Sequence, residues 1–162
     1  MRLILDSTVL IAFYTELKRP ELLRSLAFRG YRLIIPKQVF EEISYDKNFQ
    51  EIERDYYNGF YEKVKVPEDE LTHLKYKFPS LHKGELAVLW IGQQFYKKKV
   101  PYKCVLDDGR ARKSADKLGL EKIGTIGLLD LMCNLGIISK EEKRKICLKL
   151  IEAGFWFPPD KC

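Results

Sequence analysis

The sequence is poor in the residues that thiolate-metal, disulfide and acyl-transfer chemistries need. It holds two histidines, His73 and His82, and four cysteines, Cys104, Cys133, Cys147 and Cys162. The cysteines are widely spaced and form no C-x-x-C pair, which argues against a structural zinc site and leaves them as buried or terminal thiols. With histidine this scarce, no Ser-His-Asp arrangement can be assembled. Long apolar runs are missing too: none approaches the roughly 20 residues of a membrane helix, so no membrane role is expected. The N-terminus enters a strand at once, without a signal peptide, and a cytoplasmic protein is expected. No internal repeat, low-complexity tract or linker interrupts the chain, so residues 1–162 read as a single domain. Gly124-Thr125-Ile126-Gly127 lacks the lysine and spacing of a phosphate-binding loop.

What is present suits one sizeable core: 46% hydrophobic residues and 12% aromatic ones. Twenty-nine Lys and Arg against 23 Asp and Glu leave a formal charge of +6, a surplus that favours a polyanionic partner. Leu3-Ile4-Leu5 reads as a strand buried on both faces, the kind found in parallel sheets. It ends on Asp6, after which Ser7 or Thr8 can cap a helix carrying Val9, Leu10, Ile11 and Phe13. Helical spacing over Pro20–Phe28 stops at Gly30. Tyr31–Ile35 is a second strand, closed by Pro36, and the helix after it carries Val39, Phe40, Glu41, Glu42 and Ile43.

Residues Tyr45 to Phe78 read as an irregular helical insertion, with a short strand at Lys63–Val66 and a helix start at Glu68-Asp69-Glu70. Pro79–Glu85 leads into a helix reaching about Tyr96, followed by Lys97-Lys98-Lys99. Lys103–Leu106 is a core strand ending on Asp107-Asp108, with a helix from Arg110 to Leu118 beyond it. Glu121–Ile123 is a short strand. Gly124-Thr125 opens a helix through Leu128, Leu129, Leu131 and Met132, and Ser139 caps a last amphipathic helix with Ile146, Leu148, Leu150 and Ile151. Strands alternating with helices through short turns imply a three-layer α/β/α fold around a mostly parallel sheet of four or five strands.

Two unrelated strands thus deliver carboxylates at their C-terminal ends, Asp6 on one and Asp107 with Asp108 on the other. Ligands of open α/β sheets bind at that edge. Glu42 and Glu85 lie on helices able to lean over it. Carboxylates crowded together repel and raise one another's pKa unless a cation compensates, and oxygen-only ligands select Mg²⁺ or Mn²⁺ over zinc. The alternative leaves Glu42 and Glu85 as solvated helix residues and Asp108 as a helix cap. A phosphatase that attacks through an aspartate after its first strand needs a second Asp two positions on, where Thr8 stands. Arg110, Arg112 and Lys113 could reach a substrate phosphate or pair with the acids. Tyr56, Tyr57, Phe60 and Tyr61 could stack on bases or serve core and dimer contacts.

The order of these pieces resembles the PIN-domain superfamily. Leu5–Ile11 is similar to its opening motif, Pro36–Ile43 to its second, and Lys83-Gly84-Glu85-Leu86-Ala87 to its third. Val105–Arg112, with Ala115, Gly119 and Gly124–Leu129, resembles a branch of predicted prokaryotic nucleic-acid-binding PIN proteins. VapC toxins are the best-known relatives of that fold. The resemblance implies a Mg²⁺- or Mn²⁺-dependent endoribonuclease acting on single-stranded RNA and commonly a homodimer; the toxin half of a toxin–antitoxin pair, with an antitoxin protein as partner, is one form such an enzyme takes. It places the catalytic, metal-holding acids on Asp6, Glu42, Glu85 and Asp107, with Asp108 a candidate for the last place. Thr8 stands where relatives often have Asn or Ser and would orient a ligand or water. Thr125 would hydrogen-bond near the site or cap its helix. The alternative reading is a non-catalytic RNA-binding or protein-assembly module with the same fold.

Overall fold

The computed structural model describes residues 1–162, the side chain of Pro159 excepted. Its organising element is strand β1 (Arg2–Leu5), whose Leu3, Ile4 and Leu5 are all but inaccessible to solvent. Each such side chain contributes about 1.5–3 kcal/mol of burial, and a strand buried on both faces needs neighbours on both sides. It has them. Strand β2 (Arg32–Pro36) pairs with it in parallel at Leu3↔Leu33, and strand β4 (Tyr102–Val105) pairs with its other edge at Leu5↔Val105. Strand β3 (Tyr61–Val64) extends the sheet beyond β2, and the short β5 (Lys122–Ile123) extends it beyond β4. Among the described residues the sheet is five-stranded, parallel throughout, in the order β3-β2-β1-β4-β5.

Helices fill the outer layers. Helix α1 (Ser7–Ile11) runs directly into a π-helical turn over Ala12–Glu16 that buries Phe13 and Tyr14 together. Helices α2 (Glu21–Phe28) and α3 (Lys37–Glu42) flank β2, and α4 (Phe49–Tyr57) precedes β3. Helices α5 (Glu68–Lys77) and α6 (Lys83–Lys97) pack against each other before β4. After β4 come α7 (Gly109–Lys117), α8 (Thr125–Asn134) and α9 (Lys140–Glu152). One contiguous apolar core joins the layers. No helix among the described residues is long and apolar enough to cross a membrane.

The region between Tyr45 and Phe78 departs from the irregular insertion expected of it. It is two regular helices around a strand, and the strand starts two residues earlier than its charge pattern suggests. Tyr61 belongs to it because its hydroxyl is buried against Tyr14, at 2.7 Å between oxygens. Tyr14 in turn donates to Asp55 at 2.5 Å, and Arg24 Nε donates to the same carboxylate at 2.9 Å. A buried carboxylate on α4 is tolerable because it is hydrogen-bonded and charge-paired. In α9 the inward face is Ile146, Cys147 and Leu150, whereas Leu148 and Ile151 are exposed.

Candidate functional site

Strand order decides where the site can be. The chain leaves β1 toward β2 and β3, then returns to lay β4 on the opposite edge of β1. The crossovers diverge between β1 and β4, which is where an open parallel sheet leaves a crevice at its C-terminal edge. Asp6 and Asp107 follow these two strands. Asp6 is 1% exposed, and its N–H donates to the Val105 carbonyl at 3.4 Å. Extended backbone at Asp6 turns directly into α1, so Asp6 itself occupies the N-cap position expected of Ser7 or Thr8. Thr8 Oγ1 donates to Asp6 Oδ2 at 3.4 Å, and Asp6 Oδ1 is buried with no hydrogen-bond partner.

Asp107 is held in place from the start of α8. The Thr125 N–H donates to Oδ1 at 2.7 Å and the Thr125 hydroxyl to Oδ2 at 2.6 Å. That approach requires Gly124, because a Cβ there would stand 2.9 Å from Asp107 Oδ1 and 3.3 Å from Arg112 Nη1. Thr125 is the first residue of α8 rather than its cap, a position Gly124 takes.

Two helices bring the remaining acids. Glu42, at the end of α3, accepts the Gly84 N–H on Oε1 at 2.7 Å. A Cβ on Gly84 would stand on the Glu42 carboxylate, so the residue before Glu85 must be glycine for α3 to close on α6. Glu85 is 7% exposed and accepts the His82 N–H at 2.9 Å, half of a capping box that starts α6.

The charges interact as their convergence requires. Burial pushes the Asp6 carboxyl from 3.8 up to about 7; the Ser7 N–H opposes this, and the charges of Glu85, Glu42 and Asp107 add to it. Burial also raises Glu85, against the His82 N–H and with the help of the Asp108 charge. Partial burial would raise Asp108 as well, but the Ala111 and Arg110 N–H groups and the Arg110 guanidinium together hold it below its usual range. Glu42, Glu85 and Asp107 each carry a donor of their own, and the charge of each bears on Asp6. Among the described residues no three acid, histidine or cysteine side chains close into a ligand cage. The donor set is all oxygen, and the orphaned Asp6 Oδ1 lacks only a positive partner, so the arrangement fits a hard divalent cation.

A PIN-domain family model matches residues 2–162, the whole chain but its first residue. The chain belongs to the PIN-domain family. No curated protein matches it. The family fold is of a nuclease type, and the acids described above lie at the topological switch point of this PIN domain.

The other sequence-predicted residues sort themselves by geometry. Asp108 caps α7, accepting the Arg110 N–H at 2.9 Å and the Ala111 N–H at 3.1 Å, so its carboxylate is engaged with its own helix. Arg110 is exposed and stands 3.5 Å from Asp108. Arg112 is half-buried and donates to the Leu106 carbonyl at 2.9 Å, tying α7 to the end of β4. Lys113 is exposed on α7. Of the aromatics offered for base stacking, Tyr61 is buried, Tyr56 packs on Phe40 and Phe60 on Phe28; Tyr57 is exposed.

Gly84, Gly124 and Gln38 were not found from the sequence. Gln38 lies one turn before Glu42, 4% exposed, donating to the Val66 carbonyl at 3.0 Å while its own Oε1 has no partner. The signal for the glycines was available: each directly precedes a residue that the motifs already singled out.

Proposed function

We propose that this PIN domain is a divalent-metal-dependent endoribonuclease that hydrolyses single-stranded RNA, with Asp6, Glu42, Glu85 and Asp107 holding Mg²⁺ or Mn²⁺. The observation that carries the reading is the Asp6 carboxylate. It is buried at the switch point, short of one partner on Oδ1, and under the charges of three further carboxylates. Such a constellation is costly unless a cation is its purpose. When bound, a hard divalent ion supplies activation of water and neutralisation of charge at the phosphodiester.

The chain's own residues set the geometry for that chemistry. Thr125 fixes both oxygens of Asp107, each of which keeps a free lone pair, and Thr8 donates at 3.4 Å to Oδ2 of Asp6 while Oδ1 has no partner. The Gly84 N–H holds Glu42 against the start of α6, beside Glu85. Arg110 and Lys113, exposed at the start of α7, are placed to meet the RNA backbone, and Arg112 keeps α7 seated on β4. Asp107 rather than Asp108 is the acid assigned to the site, since Asp108 serves α7. The family resemblance extends the proposal to a homodimer, and the toxin half of a toxin–antitoxin pair is one form that the proposed enzyme takes.

The test is hydrolysis of a single-stranded RNA in Mn²⁺ by the parent, Asp6→Asn and Glu85→Gln, alongside calorimetric Mn²⁺ titration of each. Cleavage by the parent alone, with Mn²⁺ affinity at least about tenfold weaker in both variants, supports the reading. Equal cleavage by all three overturns it. So does salt-dependent RNA binding that needs no metal and survives Asp6→Asn with no turnover by any of them, the behaviour of a binding module.

A further inference from the structure

Helices α5 and α6 leave between them an open groove of about 450 Å³. Leu71, Thr72 and Tyr76 of α5 form one wall, and Pro79 with Leu86 of α6 forms the other. The Tyr76 ring is 85% exposed at its lip. Lys75 sends its Nζ to the Leu81 carbonyl at 2.6 Å, so its stem is a fixed part of the wall. Lys83 also lines the groove, 3.8 Å from Glu68; both side chains are about 70% exposed, and an ion pair so solvated yields easily to a competing anion.

The start of α6 and the segment that leads into α5 are both bonded to the helix that carries Glu42. On one side the Gly84 N–H, adjacent to Lys83, donates to the Glu42 carboxylate. On the other, Gln38, one turn before Glu42 on the same face of α3, donates to Val66, two residues before Glu68. The groove therefore lies next to the start of α6, where Lys83 and Leu86 of its lining flank Gly84 and Glu85. An apolar slot with an exposed aromatic face, and a cation where a backbone would enter, suits a base of a single strand, which stacks while its phosphate meets the cation. A cavity of this size accommodates a base with its sugar.

We infer that the α5–α6 groove is a nucleobase subsite, taking a base of the RNA strand next to the phosphate bound at the acids, with Tyr76 as the stacking platform and Lys83 as the phosphate contact. The inference rests on the nuclease reading for its substrate. The Tyr76 ring supplies a face that every base can use, so the subsite sets strand position more than sequence.

The test uses the full chain and a fluorescently labelled single-stranded oligoribonucleotide. Affinity is measured by anisotropy in EDTA, where nothing is cleaved, and kcat and KM are measured in Mn²⁺. Tyr76→Ala is expected to weaken RNA affinity about tenfold and raise KM in proportion, with kcat within about twofold of the parent. Tyr76→Phe, which keeps the ring, should stay within about twofold in every quantity, and Thr72→Trp, which fills the groove, should behave like Tyr76→Ala. Parent-like affinity and KM in both Tyr76→Ala and Thr72→Trp overturns the subsite while leaving the nuclease reading untouched. Affinity lost in those variants of a chain that never cleaves supports the subsite and overturns the nuclease reading instead.

Discussion

Asp6→Asn should make the metal-free protein more stable, and by an amount that depends on pH in a defined way. The substitution keeps the side chain's shape and removes its charge. In the folded chain, burial and three neighbouring carboxylates lift the Asp6 pKa from 3.8 to about 7. A carboxyl raised on folding is bound to a proton more tightly in the native state, so its penalty is absent below pH 3.8. The penalty then grows as pH rises and is complete above about 7. At about 1.4 kcal/mol per pH unit, the parent loses about 4 kcal/mol by pH 8 but only about 1.6 by pH 5. The asparagine introduces an N–H₂ that must find an acceptor, a cost of about 1 kcal/mol that does not vary with pH. The net gain for the variant is then about 3 kcal/mol at pH 8, or about 6–12 °C in Tm for a chain of this size, and close to nothing at pH 5. The assay is thermal and urea denaturation of both proteins in EDTA across that range. Adding Mn²⁺ should restore the parent, by about 2.7 kcal/mol at a hundredfold excess over its dissociation constant, and stabilise a variant of tenfold weaker affinity by no more than about 1.4 kcal/mol at the same concentration. A stability gap that is flat between pH 5 and pH 8 would refute the claim that Asp6 is a buried charge awaiting a cation.

Two further substitutions probe what positions the acids and what holds the far side of the sheet. Gly84→Ala puts a methyl group onto the Glu42 carboxylate; displacement of that side chain should weaken Mn²⁺ binding about tenfold by calorimetry while core stability drops by no more than about 2 kcal/mol. Tyr14→Phe removes the hydroxyl shared by Asp55 and Tyr61, leaving a 3% exposed carboxylate with one donor fewer. A loss of about 1–3 kcal/mol in urea denaturation, with RNA cleavage unchanged, is the expected result.

The strands were legible wherever apolar residues run unbroken, because burial on both faces leaves no polar position to confuse the reading. That is why β1, β2 and β4 stood out. Strand β3 did not, since Lys63 lies outward over the Phe40 and Tyr56 rings while Tyr61 is buried by hydrogen bonding rather than by apolar character. The π-helical turn was invisible for a related reason: burying Phe13 and Tyr14 side by side is a demand of packing, with no composition of its own. The four acids were legible from their places, Asp6 and Asp107 just past strands, Glu42 at the end of a helix and Glu85 in the first turn of another. Choosing between Asp107 and Asp108 was not, because both follow the same apolar run and only the position of α8 shows that Thr125 grips one of them. Cys104 and Cys147 are buried, as thiols of that type should be, and all four cysteines are unpaired.

The arrangement of the sheet also dictates when the acid cluster can first be assembled. Strand β1 is made before the other four strands yet ends up in the middle of the sheet, and its second neighbour, β4, is about a hundred residues behind it. Until Val105 emerges, one edge of β1 stays open, and until Thr125 emerges Asp107 has nothing to hold it. Contacts this distant in sequence form late. A growing chain with Asp6 and Glu42 already in the open still carries a half-built centre. Closure of the acid cluster is thereby tied to synthesis of the chain through Thr125, long after Asp6 and Glu42 have been made.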